Sequence, residues 1–343
     1  MSSLPYLHFT ETVSMFGDLC TLFINSILIY FTVFYIKNIK GGYKIMVLSL
    51  ANLELVFSLL EFLMKPFVHS YGHSYVYFTI DKVYGASKSL KIWGLCLYSG
   101  VYALLICLIA IQFLYRYCLI TGDSSKVIRI KSLDICWPGY CILFTLPFMF
   151  AYYQCAPDQD SMSYLREPML QEYGEDVEEI PGLFLVIYNP KTHAFRVKTL
   201  CSIGIFVLVL SFQYAVIIFC GYKIHKKLNS AALKMSGKAH GMQRQLFKTL
   251  IFQILNPFIF HHIPAAFLLI TPFLDLKVSI PSGLVFCFYS IFPPVDSLVM
   301  MYLVTEYRTV MRKRFQINLV RLLEWSKKFN GKDQTTATTG LPS

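Results

Sequence analysis

Charged residues are scarce in this sequence. Only 15% of its 343 residues are Asp, Glu, Lys or Arg, whereas soluble domains contain about 25%. Hydrophobic residues make up 55% of the chain, and the mean hydropathy is +0.52. A soluble domain of this length would need a more charged surface, so the composition excludes a water-soluble enzyme.

Enzyme motifs are also missing from the sequence. It contains no P-loop, no His-Glu-x-x-His and no nucleophile elbow. His69 and His73 are four residues apart, but they lie among Ser, Gly and Tyr residues, which does not favour a metal site. We therefore predict neither an enzymatic activity nor a metal centre.

No Lys or Arg precedes Lys37, so the basic segment that begins a signal peptide is missing. The first hydrophobic block is therefore predicted to remain as a membrane span. Seven such blocks occur, each close to the ~20 residues that cross a bilayer as a helix. They cover residues 19–36, 45–64, 92–115, 135–153, 199–222, 249–274 and 278–305. The sequence predicts an all-α membrane protein, a seven-transmembrane-helix bundle over residues 19–305.

The basic residues predict the orientation of this bundle. Of the 31 Lys and Arg residues, 22 lie in four segments: 37–44, 116–134, 223–248 and 306–343. Lys and Arg are enriched in cytoplasmic segments, so residues 1–18 are predicted to be extracellular and residues 306–343 to form a cytoplasmic tail. A basic chain can also bind nucleic acid, but this distribution favours anionic lipid and a cytoplasmic protein partner.

Two segments outside the spans have distinctive patterns. Residues 154–198 contain eight acidic residues and form the one outer loop that is long enough to act as a lid. In the tail, apolar and basic residues alternate with helical spacing, which predicts an interfacial helix on the inner leaflet. The apolar positions are Met311, Phe315, Leu319, Leu322 and Phe329. The Thr-rich end, residues 333–343, is predicted to be disordered.

Several short motifs along the chain resemble the nematode Str class of seven-transmembrane chemoreceptors. The matching segments are Gly42-Tyr43-Lys44, Glu54, Lys65-Pro66, His69-Ser70-Tyr71-Gly72, Phe113-Leu114-Tyr115-Arg116-Tyr117, Gln243-Arg244-Gln245-Leu246-Phe247-Lys248, Gln253, Pro257, Pro264, Pro293, Asp296 and Tyr307-Arg308. The resemblance implies a G-protein-coupled olfactory receptor for small environmental chemicals, in the plasma membrane of sensory neuron cilia. It also implies G-protein coupling through Arg116, Tyr117, Lys248 and Arg308. From physical chemistry alone, Arg116 could instead be an interfacial residue of the aromatic belt.

Three polar residues are predicted to lie at a similar depth in the membrane. Counted from the cytoplasmic ends of their spans, Glu54 and Asp296 lie ~15 Å deep and Asn25 ~18 Å deep. We predict that they form a buried network that changes between the resting and active states. Two nearby carboxylates require either a shared proton or a cation such as sodium. A static structural network is an equally good interpretation.

Candidate ligand-binding residues lie in the outer halves of the spans. Tyr98 and Tyr102 are four residues apart near the outer end of the third span, and His261 and His262 lie midway along the sixth. Ordinary core packing is the alternative for each of them. Glu61 could line the same pocket, although its spacing favours an ion pair with Lys65.

Cysteine pairing is open at this stage. Cys96 near the outer end of the third span and Cys155 after the fourth could form a disulfide, with Cys201 as a rival partner.

Other functions remain as alternatives to an odorant receptor. One is a receptor for an endogenous peptide or lipid, and the acidic outer loop would suit a basic peptide. Another is a seven-span ligand-gated channel or transporter, although no span shows the polar stripe of an ion path.

Overall fold

The computed structural model describes residues 4–37, 42–80, 85–121, 124–189, 192–231, 237–281, 283–318 and 320–321. Helices dominate this part of the chain. They are α1 (Leu4–Phe34), α2 (Gly42–Met64), α3 (Lys88–Thr121), α4 (Ser124–Tyr153), α5 (Gln159–Tyr173), α6 (Val197–Ala231), α7 (Gly237–Pro257), α8 (Ile263–Ile270), α9 (Leu284–Leu303) and α10 (305–318).

Six of these segments have the length and hydropathy of membrane spans. They cover Tyr6–Phe34, Gly42–Met64, Lys88–Ile120, Val197–Ser230, His240–Phe273 and Leu284–Leu303. The fourth predicted span, residues 135–153, forms the second half of α4. The mean hydropathy of this helix is lower than that of the six other spans. Its membrane part begins with polar and weakly apolar residues: Trp137, Pro138, Gly139 and Tyr140. It packs against α3 and α6, as a member of the bundle does.

The central helix of the bundle is α3. It packs against α2, α4 and α6, and its middle is almost completely buried at Leu105, Ile106 and Cys107. The other helices leave one side exposed, where large apolar side chains such as Phe23 and Leu208 face outward. Apolar side chains on the outside and the inside of a helix bundle are expected when lipid is the solvent.

The sixth span bends where its prolines lie. Helix α7 ends at Pro257, a π-helical turn covers Phe258–His262, and α8 follows with Pro264 in its first turn. Proline lacks the backbone N–H that a regular helix needs, so a change in hydrogen-bond pattern at this point is expected. The bend turns His261 and His262 toward α3.

A four-stranded antiparallel sheet covers one end of the bundle. Its strands are β1 (Phe67–Gly72), β2 (Ser74–Phe78), β3 (Gly182–Val186) and β4 (Leu276–Pro281), in the order β3-β2-β1-β4. They come from the connections between spans two and three, four and five, and six and seven. In an up-and-down bundle these three connections lie on the same side, the side predicted to be extracellular. We call the sheet together with α5 the cap.

The long acidic loop supplies α5 and β3 to the cap. Asp158 begins α5 with a capping box, in which its carboxylate accepts a hydrogen bond from the Ser161 backbone N–H at 2.9 Å. Gly174 ends the helix in the left-handed conformation, with φ of 70°. Leu165 and Met169 of α5 pack with Phe78 of β2 in a separate apolar core.

Two boundaries differ from the sequence predictions. Helix α1 begins at Leu4, so much of the predicted extracellular segment 1–18 is helical and Asp18 is buried. Helix α9 begins at Leu284 rather than at Val278, because the apolar residues before it form β4 and pair with β1. A run of apolar residues fits a strand as well as a helix, so hydropathy alone assigns β4 to the seventh span.

At the opposite end of the bundle, Val304 interrupts the helix with an extended conformation and α10 follows. Phe315 is 70% exposed on α10, as the predicted interfacial helix requires. Leu319, Leu322, Phe329 and the predicted disordered end at 333–343 lie outside the described residues.

Helices α1 and α9 approach each other closely at Gly17. A Cβ atom at this position would lie 2.5 Å from the Ser290 Oγ atom and 2.9 Å from the Ser290 carbonyl oxygen. Small residues allow this kind of close packing between membrane helices. We expect Gly17→Ala to destabilise the fold by about 1–3 kcal/mol, measured as a lower midpoint of thermal unfolding in detergent. Gly204→Ala is the control, since a Cβ atom there meets nothing within 4 Å; equal midpoints for the two variants would contradict this packing.

Candidate functional site

A cavity of about 70 Å³ lies inside the bundle under the cap. We call it the aromatic cavity. It is lined by Tyr75, Tyr77, Tyr98, Ser99, Tyr102, Phe148, Tyr152, Phe206, Leu210, His261, His262, Ala265, Leu269, Phe286 and Tyr289. Most of these side chains present apolar surface and a few polar atoms, the usual composition of a small-molecule site.

The two histidines are held in different ways. The His261 ring is stacked between the rings of Tyr102 and Tyr289, with centroid distances of 3.4 and 3.7 Å. The His262 Nδ1 atom lies 3.1 Å from the Pro257 carbonyl oxygen, and its Nε2 atom lies 3.1 Å from the Tyr102 hydroxyl. These contacts fit a neutral imidazole that donates from Nδ1 and accepts at Nε2. The wall of the cavity between α3 and the sixth span is therefore polar only at defined points.

Four of the five predicted ligand residues meet in this cavity: Tyr98, Tyr102, His261 and His262. Glu61 lies outside it, and its Oε2 atom accepts a hydrogen bond of 2.9 Å from the Tyr98 hydroxyl. Sequence reasoning missed Tyr75 and Tyr77, which come from β2. The run of aromatic and β-branched residues in Ser74–Phe78 is a strand signal that could have located them.

The cap closes the aromatic cavity from the outside. Strand β2 lies between β1 and β3, and its Tyr77 hydroxyl donates to the Leu95 carbonyl oxygen of α3 at 3.4 Å. The Tyr77 ring also stacks on Phe286 of α9, with 6.1 Å between centroids. The sheet is thus attached to two spans directly above the cavity.

Inside the cap, the His69 side chain is fully buried and its Nδ1 atom lies 3.1 Å from the Tyr173 hydroxyl. Burial lowers the pKa of His69 to about 4, and the nearby Glu172 opposes this only in part. His69 therefore belongs to the packing of the cap. Among the described residues, no group of three or more His, Cys, Asp or Glu is suited to a metal ion.

This buried histidine predicts a pH-dependent stability. Below pH 6.5 an unfolded chain binds a proton at His69 that the folded chain does not bind until about pH 4. The free energy of unfolding should therefore fall as the pH falls through this interval, by about 3 kcal/mol from His69 alone. Thermal unfolding of the wild type and of His69→Gln at pH 7 and pH 4.5 checks it. The wild type should lose more stability than the variant, and equal losses would contradict the prediction.

The three residues of the predicted polar network lie together in the middle of the bundle. The Asn25 Nδ2 atom donates to the Glu54 Oε2 atom at 2.7 Å and to the Ala51 carbonyl oxygen at 3.2 Å. The carboxyl groups of Glu54 and Asp296 lie close enough to interact electrostatically. Gln253 of α7 adds a contact that the sequence did not predict, since its Nε2 atom donates to the Asp296 Oδ2 atom at 3.0 Å.

This network joins four spans and is rich in unused acceptors. Five buried oxygen atoms within it have no hydrogen-bond partner in the described part of the chain: Asn25 Oδ1, Glu54 Oε1, Gln253 Oε1, Asn256 Oδ1 and Asp296 Oδ1. A hard cation such as sodium prefers oxygen ligands of this kind. The side chains present therefore fit the predicted sodium ion.

Arg116 is buried near the cytoplasmic end of α3, with an exposed fraction of 3%. Its guanidinium carbon lies 4.3 Å from the centre of the Tyr43 ring, and its Nη1 atom donates to the Gln243 Oε1 atom at 3.2 Å. It is therefore not an interfacial residue of the aromatic belt in this conformation. Instead it connects α3 with α2 and with the start of the sixth span.

The other predicted coupling residues surround Arg116 more loosely. Tyr117 makes an edge contact with Phe219 of α6, with ring centroids 6.1 Å apart. Lys248 is exposed on α7. The Arg308 Nη2 atom donates to the Thr305 hydroxyl at 2.9 Å.

The predicted disulfide is not formed. Cys96 and Cys155 are both buried free thiols in the core of the bundle. The Cys155 Sγ atom instead donates to the Ala151 carbonyl oxygen at 3.4 Å, within the last turns of α4. Cys201, the rival partner, is an exposed free thiol on α6.

Known proteins resemble this chain in sequence and in fold. The family described as "Serpentine type 7TM GPCR chemoreceptor Str" matches residues 10–312. The G-protein coupled receptor str-33 of Caenorhabditis elegans is 34% identical over 312 residues, which cover 89% of this chain and 90% of that receptor. The serpentine receptor class r-10 of the same organism is 23% identical, with coverage of 90% and 91%.

Among solved structures, squid rhodopsin superposes on this chain with a TM-score of 0.60. The superposition covers 99% of this chain and 93% of that structure, at 14% sequence identity. It confirms the fold expected from the sequence, a seven-transmembrane-helix bundle. The family consists of receptors without enzymatic activity, in agreement with the missing enzyme motifs. With its fold, its multi-pass membrane architecture and its sequence in agreement, this chain belongs to the Str family of serpentine seven-transmembrane chemoreceptors.

Proposed function

We propose that this receptor binds a small, weakly polar environmental molecule in the aromatic cavity and signals to a heterotrimeric G protein. We place it in the plasma membrane of sensory neuron cilia, where such a molecule arrives from outside. The cavity carries the proposal, because it lies between α3, α4, α6, α8 and α9 under the cap and its walls are mainly aromatic.

The size and lining of the cavity favour such a ligand. A volume of about 70 Å³ suits a molecule of a few heavy atoms, and further space would require the walls to move. Ring faces of Tyr98 and Tyr289 supply apolar contact, while the Tyr102 hydroxyl and the two imidazoles can bind a single carbonyl or hydroxyl group. A peptide would have to displace β2 from the centre of the sheet.

A ligand panel in cultured cells tests this function. Cells that express the receptor are exposed to small volatile chemicals, to lipids and to basic peptides, and calcium or cyclic nucleotide is recorded. We expect responses to one chemical class of small volatile molecules, and we expect these responses to disappear in cells that lack Gα subunits. A response to peptides or lipids alone would replace the proposed ligand, and a current that persists without Gα would indicate a channel.

We propose that Arg116, Tyr117, Lys248 and Arg308 form the G-protein contact. All four lie toward the cytoplasmic ends of α3, α7 and α10, and Lys248 already faces outward. Arg116 is the exception, because its guanidinium is engaged with Tyr43 and Gln243. Movement of α7 away from α3 would break the Gln243 contact and release the guanidinium toward the cytoplasm.

We further propose that Asn25, Glu54 and Asp296 form a switch that binds sodium in the resting state. The unpartnered oxygens around the two carboxylates support it, because a cation there offsets the repulsion between the negative charges. Gln253 ties the same cluster to α7, the helix that also contacts Arg116. A change in the cluster can therefore reach the cytoplasmic end through one helix.

A further inference from the structure

A second cavity lies at the outer ends of α1, α2 and α9. Its volume is about 180 Å³, larger than that of the aromatic cavity. Asp18 and Ser14 of α1 line it on one side, and Glu61 of α2 lines it on the other. We call it the carboxylate cavity.

The two deepest carboxyl groups of the carboxylate cavity are buried without enough hydrogen bonds to replace their contact with water. Asp18 and Glu61 have exposed fractions of 3% and 2%. The Asp18 Oδ1, Glu61 Oε1 and Ser14 Oγ atoms have no hydrogen-bond partner within the described chain. The two carboxyl groups also lie close enough to repel each other. Burying such groups is costly unless an opposite charge joins them.

The surroundings of the cavity are acidic as a whole. Glu11 and Lys65 also line it, so three carboxylates face one ammonium group. Ser58 of α2 lies beside Asp18 and adds a neutral hydroxyl. One further positive charge brings the cavity closer to neutrality, whereas an anion or a second carboxylate would increase the repulsion.

The remaining walls of the cavity favour an organic cation over a metal ion as its ligand. Met15, Phe62 and Phe286 give the cavity apolar and aromatic surface beside the carboxylates. Alkylammonium ions bind well where carboxylates and aromatic rings occur together. A bare metal ion would prefer a compact shell of oxygen atoms and would leave most of this volume unfilled.

We propose that the carboxylate cavity binds a small organic ammonium ion, held between the carboxylates of Asp18 and Glu61. The ammonium donates hydrogen bonds to Asp18 Oδ1 and Glu61 Oε1, and its alkyl part contacts the apolar wall. This site is separate from the proposed odorant site, but the two touch, because Glu61 also accepts the hydrogen bond of Tyr98 in the aromatic cavity. A bound ammonium ion can therefore change the position of Tyr98.

Thermal unfolding of the purified full-length receptor tests the proposal without a G protein or an odorant. Propylammonium chloride is titrated in a constant background of sodium chloride that saturates the sodium site proposed at Asn25, Glu54 and Asp296. It is compared with additional sodium chloride of equal ionic strength and with propanol, its neutral counterpart. A ligand that binds only the folded state raises the unfolding midpoint with saturation. We expect this saturable rise with propylammonium, and no further rise with added sodium or propanol.

Three variants locate the binding. In Asp18→Asn and Glu61→Gln the apparent dissociation constant should rise at least about tenfold, because each loses one charge-assisted hydrogen bond. Glu167→Gln is the control, since it removes an exposed carboxylate of α5 outside the cavity, and it should keep the wild-type constant. If a variant does not fold, the titration is replaced by competition in the wild type. Propylammonium competes with labelling of Asp18 by a carboxyl-reactive diazo reagent, which does not couple carboxyl groups to amines, and the label is read by mass spectrometry.

Each result that contradicts the proposal has a distinct meaning. An equal further rise with added sodium would mean a simple ion site, and an equal loss of the rise in Glu167→Gln would mean that the effect does not depend on the carboxylate cavity. Unchanged binding in Asp18→Asn, or labelling of Asp18 that propylammonium does not slow, would also overturn the proposal. None of these results depends on whether the aromatic cavity binds an odorant.

Discussion

Arg116→Ala should reach the cell surface in normal amounts and lose most of its ligand-stimulated signalling, by at least about tenfold. The guanidinium is the one buried cation at the cytoplasmic end of α3 for which the structure shows contacts to both α2 and the sixth span. In the proposed active state it faces the G protein, and alanine offers neither charge nor hydrogen bonds there. G-protein activation, measured as nucleotide exchange in membranes with matched surface expression, gives the result.

A second substitution at the same contact should act in the opposite direction. Gln243→Ala removes the acceptor that holds Arg116 in the described conformation but keeps the arginine. We expect higher signalling without ligand, because the resting contact between α3 and α7 is weakened. Full signalling by Arg116→Ala, or no change in either variant, would reject the role of this residue.

Asp296→Asn should abolish the dependence of agonist potency on sodium. In the wild type, replacing sodium by potassium, a larger cation, should increase agonist potency by about fivefold or more, the lower range of typical allosteric coupling. Asparagine keeps the shape of the side chain and can still bond to Gln253, but it removes one of the two charges that hold the cation. Dose–response curves in the two salts measure the effect.

The control for this experiment is Asp18→Asn, which neutralises a buried carboxylate near the outer end of α1. It should keep the wild-type response to sodium. A potency that shifts equally in the wild type and Asp296→Asn would favour the static interpretation of the network, in which Glu54 and Asp296 share a proton and only maintain the structure.

The membrane bundle and its inner residues were predictable because lipid imposes strong rules on composition. Long apolar blocks identify spans, and rare carboxylates within them point inward. That reasoning located Glu54 and Asp296, and helical spacing located Tyr98 and Tyr102. The motifs around Arg116 and Pro257 then identified the family, which the comparisons confirm.

The cap was not predictable in the same way. Its strands pair segments that are far apart in the chain, such as His69 with Pro281, and such pairing leaves little local signal. Strand β4 continues directly from one apolar block toward the next, so hydropathy assigns it to a helix. As a result, hydropathy alone does not reveal that Tyr75 and Tyr77 close the cavity.

Asp18 shows a second limit of the sequence. It lies one residue before the first apolar block, so a count of charges places it outside the membrane. In the structure α1 begins much earlier, at Leu4, and the same residue is buried opposite Glu61. The depth of a residue depends on where its helix starts, which composition does not determine.

The aromatic cavity as the ligand site is tested most directly by two neighbouring alanines of α8. Ala265 lines the cavity, whereas Ala266 is exposed on the outer side of the same helix. With an active volatile chemical from the panel, Ala265→Phe should lower agonist potency by about a hundredfold, because the new ring occupies the space of the ligand. Ala266→Phe should leave it unchanged. Equal potency in both variants at matched surface expression would contradict the account.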